Sequence, residues 1–356
     1  MLVGLFERFR RRTHLATNAP PLNLALQGGG AHGAFTWGVL DALLEDGRFR
    51  FATVSGASAG AMNAVVLAHG LAQSDDPRDA REHARAALRH FWLRLGASMP
   101  YEWLTLGTGD DTRLNPLGQW LIQWTQALSP RQANPLDINP LRDTLSAQID
   151  FERLRRASPL RLLIATTHAN SARLELHTER EIDLDVVLAS ACLPMLHRPV
   201  MLDGEPHWDG GYTANPPVLP VVFDPASAAD TLLVPLVPMR WDETPTTLPQ
   251  IRQRLAELSF SGPFIAELQR LARWQQDLRW PHRGQKERLL ARARWHVIDG
   301  ASALSALHVE TRLIAHGPFL EHLFALGREH AQAWLAEHGD VVGLRSTCTL
   351  DSLLGQ

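Results

Sequence analysis

Residues 22–60 read LNLALQGGGAHGAFTWGVLDALLEDGRFRFATVSGASAG, and this stretch decides the fold class. Residues 22 to 27 form an apolar run of strand length that ends in a glycine turn. Residues 34 to 46 place apolar side chains at helical spacing and stop at Gly47. Residues 51 to 54 make a second strand, and residues 59 to 69 a second helix for which Gly70 is the expected stop. Strands alternating with helices predict an α/β sheet, because a parallel pair needs a connection long enough to hold a helix.

Outward from this core, residues 75 to 140 lose the strand signal and carry Trp92, Trp103, Trp120, Trp124 and several prolines, which predicts a helical cap or insertion. Strand-like runs resume at 160 to 166, 198 to 202, 232 to 237 and 295 to 298, with a helical run at 184 to 192. Two amphipathic stretches, 248 to 280 and 317 to 338, are expected to cover the sheet. No repeat or Gly/Ser linker interrupts the chain. The expected division is an N-terminal segment 1–21, a catalytic domain 22–240 with the insertion at about 75–140, and a mainly helical extension 241–356 packed on it.

The chain has 356 residues, 45% hydrophobic and 21% charged, which is ordinary for a globular protein with a large core. A formal net charge of -3 excludes the global basic field that nucleic-acid binding requires. The two cysteines, Cys192 and Cys348, fit neither a disulfide framework nor a zinc ribbon, so a reducing compartment is expected. The opening MLVGLFERFRRR lacks the apolar stretch of a secretory signal, which points to the cytoplasm. Leu2, Leu5, Phe6 and Phe9 beside the arginines read as a short capping helix, or more sharply as a membrane-surface helix making peripheral contact.

Three short motifs carry chemistry. Gly56-Ala57-Ser58-Ala59-Gly60 lies between a strand and a helix, the setting of a nucleophile elbow, where small residues at Gly56 and Gly60 let a sharp turn close around Ser58. The plainer reading is a small-residue turn with a capping serine. Gln27-Gly28-Gly29-Gly30-Ala31-His32-Gly33 lets backbone N–H groups converge, on a phosphate or on an oxyanion. A dinucleotide site would need an acid at the end of the next strand, but Thr53-Val54-Ser55 runs straight into the elbow there. An oxyanion hole built from the amides of Gly28, Gly29, Gly30 and Ala59 is the better reading. Asp209-Gly210-Gly211, taken alone, is good β-turn chemistry.

Glycine turn, serine elbow and Asp-Gly-Gly in this order resemble the patatin-like phospholipases. Leu188-Ala-Ser-Ala-Cys-Leu-Pro194, the run from Arg198 to Gly204, and Asn215-Pro216 add to the resemblance, which covers residues 22 to 237. It implies a three-layer α/β/α sandwich with a mostly parallel central sheet, a Ser58–Asp209 dyad working through an acyl-enzyme, and hydrolysis of lipid-like carboxylic esters, phospholipids included. His32, Gly210 and Gly211 would support the dyad from behind. Many family members carry arginine where this chain has His32. His207, two residues before Asp209, stays outside the expected dyad.

No His-Glu-x-x-His or Cys-paired spacing is present, so neither a metal nor another cofactor is expected. The aromatics of the insertion are expected to be mostly core, with the rest, and the helices after 248, lining an acyl groove. A transacylase using the same dyad, and a catalytically silent lipid-binding scaffold, are the competing readings.

Overall fold

The computed structural model describes residues 19–98, 103–126, 128–241, 243–279 and 284–355. The basic opening and its membrane-surface reading lie outside the described residues.

Ten strands follow in chain order: β1 (Pro21–Leu26), β2 (Arg50–Gly56), β3 (Thr105–Leu106), β4 (Arg113–Leu114), β5 (Arg161–His168), β6 (Leu174–Thr178), β7 (Val200–Leu202), β8 (Glu205–Asp209), β9 (Asp230–Val234) and β10 (Arg294–Val297). The main sheet runs β10-β9-β1-β2-β5-β8-β7, with β6 also paired to β5. The contacts from β10 through β5 are parallel, as the opening stretch predicts, and β6, β7 and β8 add antiparallel pairs at the far side. β3 and β4 form a separate small hairpin inside the insertion.

The helices used below are α1 (Gly33–Asp46), α2 (Ala59–Leu71), α3 (Pro77–Ala97), α4 (Leu184–Ser190), α5 (Leu219–Phe223), α6 (Leu248–Asp277) and α7 (Gly317–His338). Strand alternation assigns them to two layers. Leu22, Leu24 and Leu26 of β1 enter the larger core beneath α1, α2, α3 and α7. Ala25 and Leu233 point the other way, into a core with Phe264, Leu268 and Leu271 of α6 and Val222 of α5. The result is a three-layer sandwich, and the stretch after residue 240 contributes both a strand of the sheet and a helix to each layer.

Two local expectations change, and two strands are added. Gly70 does not stop α2 but sits within it, where the backbone of Ala84 in α3 passes so close that a side chain would collide. β6 and β8, short and polar, carry no apolar run that marks them in the sequence. Of the four tryptophans in the insertion only Trp92 is core, donating its indole N–H to Asn63 at 3.0 Å beside the equally buried Phe91, while Trp103, Trp120 and Trp124 are exposed.

One feature of the sheet places the site. β5 pairs with β2 over residues 161–164 on one edge and with β6 over residues 163–167 on the other. β8 pairs with residues 166–168, where the β6 edge is already occupied, so it lies on the β2 edge. β8 runs against β5 and β2 runs with it. The two strands therefore meet end to end along β5, Gly56 opposite Ile164 and Asp209 opposite Thr166.

Candidate active site

Ser58 occupies the gap between these strand ends. Its backbone, φ 52° and ψ -126°, is in the left-handed half of conformational space, which a side chain tolerates only where the surroundings fix it, at a cost of about 1–3 kcal/mol. Those surroundings are specific. The Ser58 amide donates to the Ser190 carbonyl at 2.9 Å and to the Ser190 hydroxyl at 3.2 Å. Gly60 passes so close to the Leu26 carbonyl of β1 that a Cβ there has no room. α2 begins at Ala59, so the serine sits at the positive end of a helix, which favours a developing alkoxide.

Asp209 ends β8 with a relative exposure of 0%. Its amide donates to the Cys192 carbonyl at 2.9 Å, so the loop after α4 holds the backbone of Ser58 through residue 190 and that of Asp209 through residue 192. This is the structural content of the Leu188–Pro194 motif. The Gly211 amide donates to Asp209 Oδ1 at 2.8 Å, whereas Oδ2 has no geometrically formed hydrogen bond among the described residues. Burial pushes the carboxyl up to about 7, against the opposing pull of the Gly211 amide and the neighbouring Ser58 hydroxyl. The result is a carboxyl near Ser58 with a free lone pair, poised to exchange a proton near neutrality.

The glycine turn is pinned from several sides. Gln27 accepts from the amides of Leu236 at 2.6 Å and Val237 at 2.8 Å and donates to the Asn215 carbonyl at 3.2 Å. A Cβ on Gly28 would lie 2.7 Å from the Cβ of Ser58, so turn and elbow touch. The Gly28 amide, however, donates to Asn215 Oδ1 at 2.6 Å, which removes it from the expected set of oxyanion donors. The amides of Gly29, Gly30 and Ala59 make no hydrogen bond among the described residues. Behind the turn, His32 Nε2 pairs with Thr311 Oγ1 at 2.7 Å, and the Arg312 carbonyl packs directly against Gly30.

The family model described as Patatin-like phospholipase matches residues 24–222. The chain belongs to this family. Membership implies lipid acyl hydrolase activity. Among solved structures, the crystal structure of VipD from Legionella pneumophila is similar at 17% identity and a TM-score of 0.35, over 88% of this chain and 68% of that one. No curated protein matches.

Other groups of this patatin-like chain stand apart from the pair. His207 points its ring at different partners: Nδ1 pairs with Thr166 Oγ1 at 3.1 Å, and Nε2 lies 3.6 Å from Glu175. Burial lowers its pKa. Gly210 and Gly211 form the tight turn after Asp209. Among the described residues no group of three or more His, Cys, Asp or Glu side chains is arranged to hold a metal ion, and no helix is long and apolar enough to cross a membrane. Reading motifs alone misses Gln27, Ser190, Thr311 and Arg312, which come from four distant places. Gln27 and Ser190 do lie inside motifs, at the head of the glycine turn and within Leu188–Pro194, but neither motif assigns them a role, and Thr311 and Arg312 carry no sequence signal.

Proposed function

We propose that the chain hydrolyses carboxylic esters of lipid-like substrates, with Ser58 as nucleophile and Asp209 as general base. The observation that carries this reading is the fully buried Asp209 carboxyl, its Oδ2 unpartnered among the described residues, beside a serine in strained backbone geometry. Asp209 takes the hydroxyl proton as Ser58 Oγ bonds to the ester carbonyl carbon, and the carbonyl oxygen becomes an oxyanion. The amides of Gly29, Gly30 and Ala59 donate to that oxygen, each contact of this kind being worth about 3 kcal/mol when removed. Collapse of the tetrahedral species breaks the ester C–O bond, and the proton held by Asp209 goes to the departing alkoxide. Water then attacks the acyl-enzyme, giving its proton to Asp209, and the second collapse returns that proton to Ser58 with release of the acid.

A panel of p-nitrophenyl esters of graded acyl length tests the reading, alongside a serine-directed fluorophosphonate. Wild type should turn over and become labelled, and Ser58→Ala should do neither while keeping its circular dichroism spectrum. Labelling at another serine would move the nucleophile, and a folded wild type inert to the whole panel would favour the silent scaffold. If an added alcohol diverts the acyl group quantitatively from water, the enzyme is a transacylase with the same dyad.

A further inference from the structure

Beside the glycine turn lies a cavity of about 320 Å³ lined by His32, Trp241, Glu257, Ser305 and Arg312 among others. Its place is defined by two contacts. The turn at 309–313 packs on the one at 30–32, and Glu257 lies on α6 one helical turn before Phe260, whose ring abuts Gly211 and Tyr212. The cavity thus lies behind the glycine turn, and its lining includes neither Ser58 nor Asp209.

Two of its buried polar atoms have no partner among the described residues. Among the described residues Arg312 Nε makes no hydrogen bond, and the only carboxylate contact of the guanidinium is Nη2 to Glu257 at 3.4 Å. Glu257 is itself 2% exposed and already receives Trp241 Nε1 at 2.8 Å, Gln253 Nε2 at 3.2 Å and Arg254 at 3.5 Å. Burial outweighs Glu257 in setting the Arg312 pKa, which is lowered, so a half-buried guanidinium with a buried, unpartnered Nε faces a single carboxylate at long range. Glu243, the other carboxylate, is exposed at the rim.

The second atom is Nδ1 of His32, a residue 2% exposed. Its protonation follows from its neighbour. The Thr311 hydroxyl spends its proton on the His308 carbonyl at 2.5 Å, so it accepts from His32 Nε2–H at 2.7 Å. Nδ1 is then a bare lone pair, and burial together with nearby Arg312 lowers the ring pKa to about 3, so it stays bare at neutral pH.

A ligand satisfying both atoms must present an acceptor to a guanidinium and a donor, such as a hydroxyl, to an imidazole. A carboxylate alone only accepts. We propose that this cavity binds a phosphorylated polyol, with Arg312 holding the phosphate oxygens and His32 Nδ1 accepting from a hydroxyl. Its volume is that of a small-ligand site rather than of one ion. The ligand is either a free polyol phosphate or the head of a lipid. The second source rests on the hydrolase reading, and the first does not.

Calorimetry on Ser58→Ala separates the two questions, because it needs no turnover. sn-Glycerol 3-phosphate should bind, glycerol should not, and Arg312→Gln should weaken binding by about tenfold or more, as loss of a charged hydrogen bond does. Arg312→Lys should recover part of the loss. Ser305→Trp, which adds bulk at an exposed lining position, should block binding without disturbing Glu257. Inorganic phosphate binding as tightly as glycerol 3-phosphate would overturn the polyol part. No binding of glycerol 3-phosphate at millimolar concentration, or unchanged binding in a folded Ser305→Trp, would overturn the site. With wild type and a lysophosphatidylglycerol substrate, competitive inhibition by glycerol 3-phosphate assigns the cavity to the lipid head. Binding without inhibition assigns it to a free ligand.

Discussion

The decisive residue is Asp209, and its burial has two opposite consequences. As a base it must be ionised, so kcat/KM on a neutral ester should rise with pH about a midpoint near 7 and then level off. A profile already flat from pH 5 upward would mean that another group takes the proton. For stability the sign reverses. A carboxyl raised from an ordinary 3.8 to about 7 binds its proton more tightly in the folded state, so its contribution is fully present below pH 3.8 and is lost as pH rises through about 7. Asp209→Asn should therefore be inactive at pH 8 yet melt higher than wild type, by up to about 4 kcal/mol in stability, with the gain shrinking toward pH 5. His207 provides the contrast. Its nitrogens engage Thr166 and Glu175, so His207→Ala should lower kcat/KM only as far as a packing change does. A His207→Ala enzyme as inert as Ser58→Ala would instead indicate a triad.

At the scale of elements, the site depends on how helices and loops fix strand ends. Glu267 of α6 reaches across to the start of α5, accepting from the amides of Val218 at 2.7 Å and Leu219 at 2.8 Å. Burial raises its pKa while those amides oppose the rise. Glu267→Ala leaves two buried donors unpaired and should cost about 2 kcal/mol by urea denaturation, with Glu267→Gln recovering about half. This same scale separates what the sequence reveals from what it hides. The elbow, the glycine turn and the alternation of β1, α1, β2 and α2 are legible because turn chemistry and helical periodicity act within a few residues. The Gly28 amide is misjudged because its acceptor, Asn215 Oδ1, arrives from 187 positions away. β8 is hidden because its pairing with β5, not its composition, makes Glu205–Asp209 a strand. The exposed tryptophans are misread because helical spacing shows that a face is apolar without showing that anything covers it.

For the whole molecule, distant segments converge on a few buried charges. Asp230 at the start of β9 accepts from Arg294 at 2.7 Å, from His296 at 2.9 Å and from the Gly343 amide at 2.9 Å, joining β9, β10 and the segment after α7. Burial raises its pKa, but the His296, Arg294 and Gly343 contacts prevail and hold it well below the usual carboxylate range. That stabilisation is present above the ordinary carboxylate pKa and disappears only as pH falls through the lower folded value. Asp230→Ala should cost about 3 kcal/mol at pH 7, since it strands Arg294 and buried His296, and the variant should differ less from wild type in strong acid. Equal melting temperatures of the two at pH 7 would contradict this. The end-to-end meeting of β2 and β8 has a further consequence for how the polypeptide can be divided. Leu136 and Ile138, 80% and 62% exposed, lie on the connection between the two halves of the site. A chain cut at that point yields one piece with Ser58 and the glycine turn, and another with Asp209, Ser190 and Arg312. Neither piece holds both the nucleophile and its base, so co-expressed halves should recover ester turnover only when β5 docks against β2, making catalysis a reporter of two polypeptides finding each other.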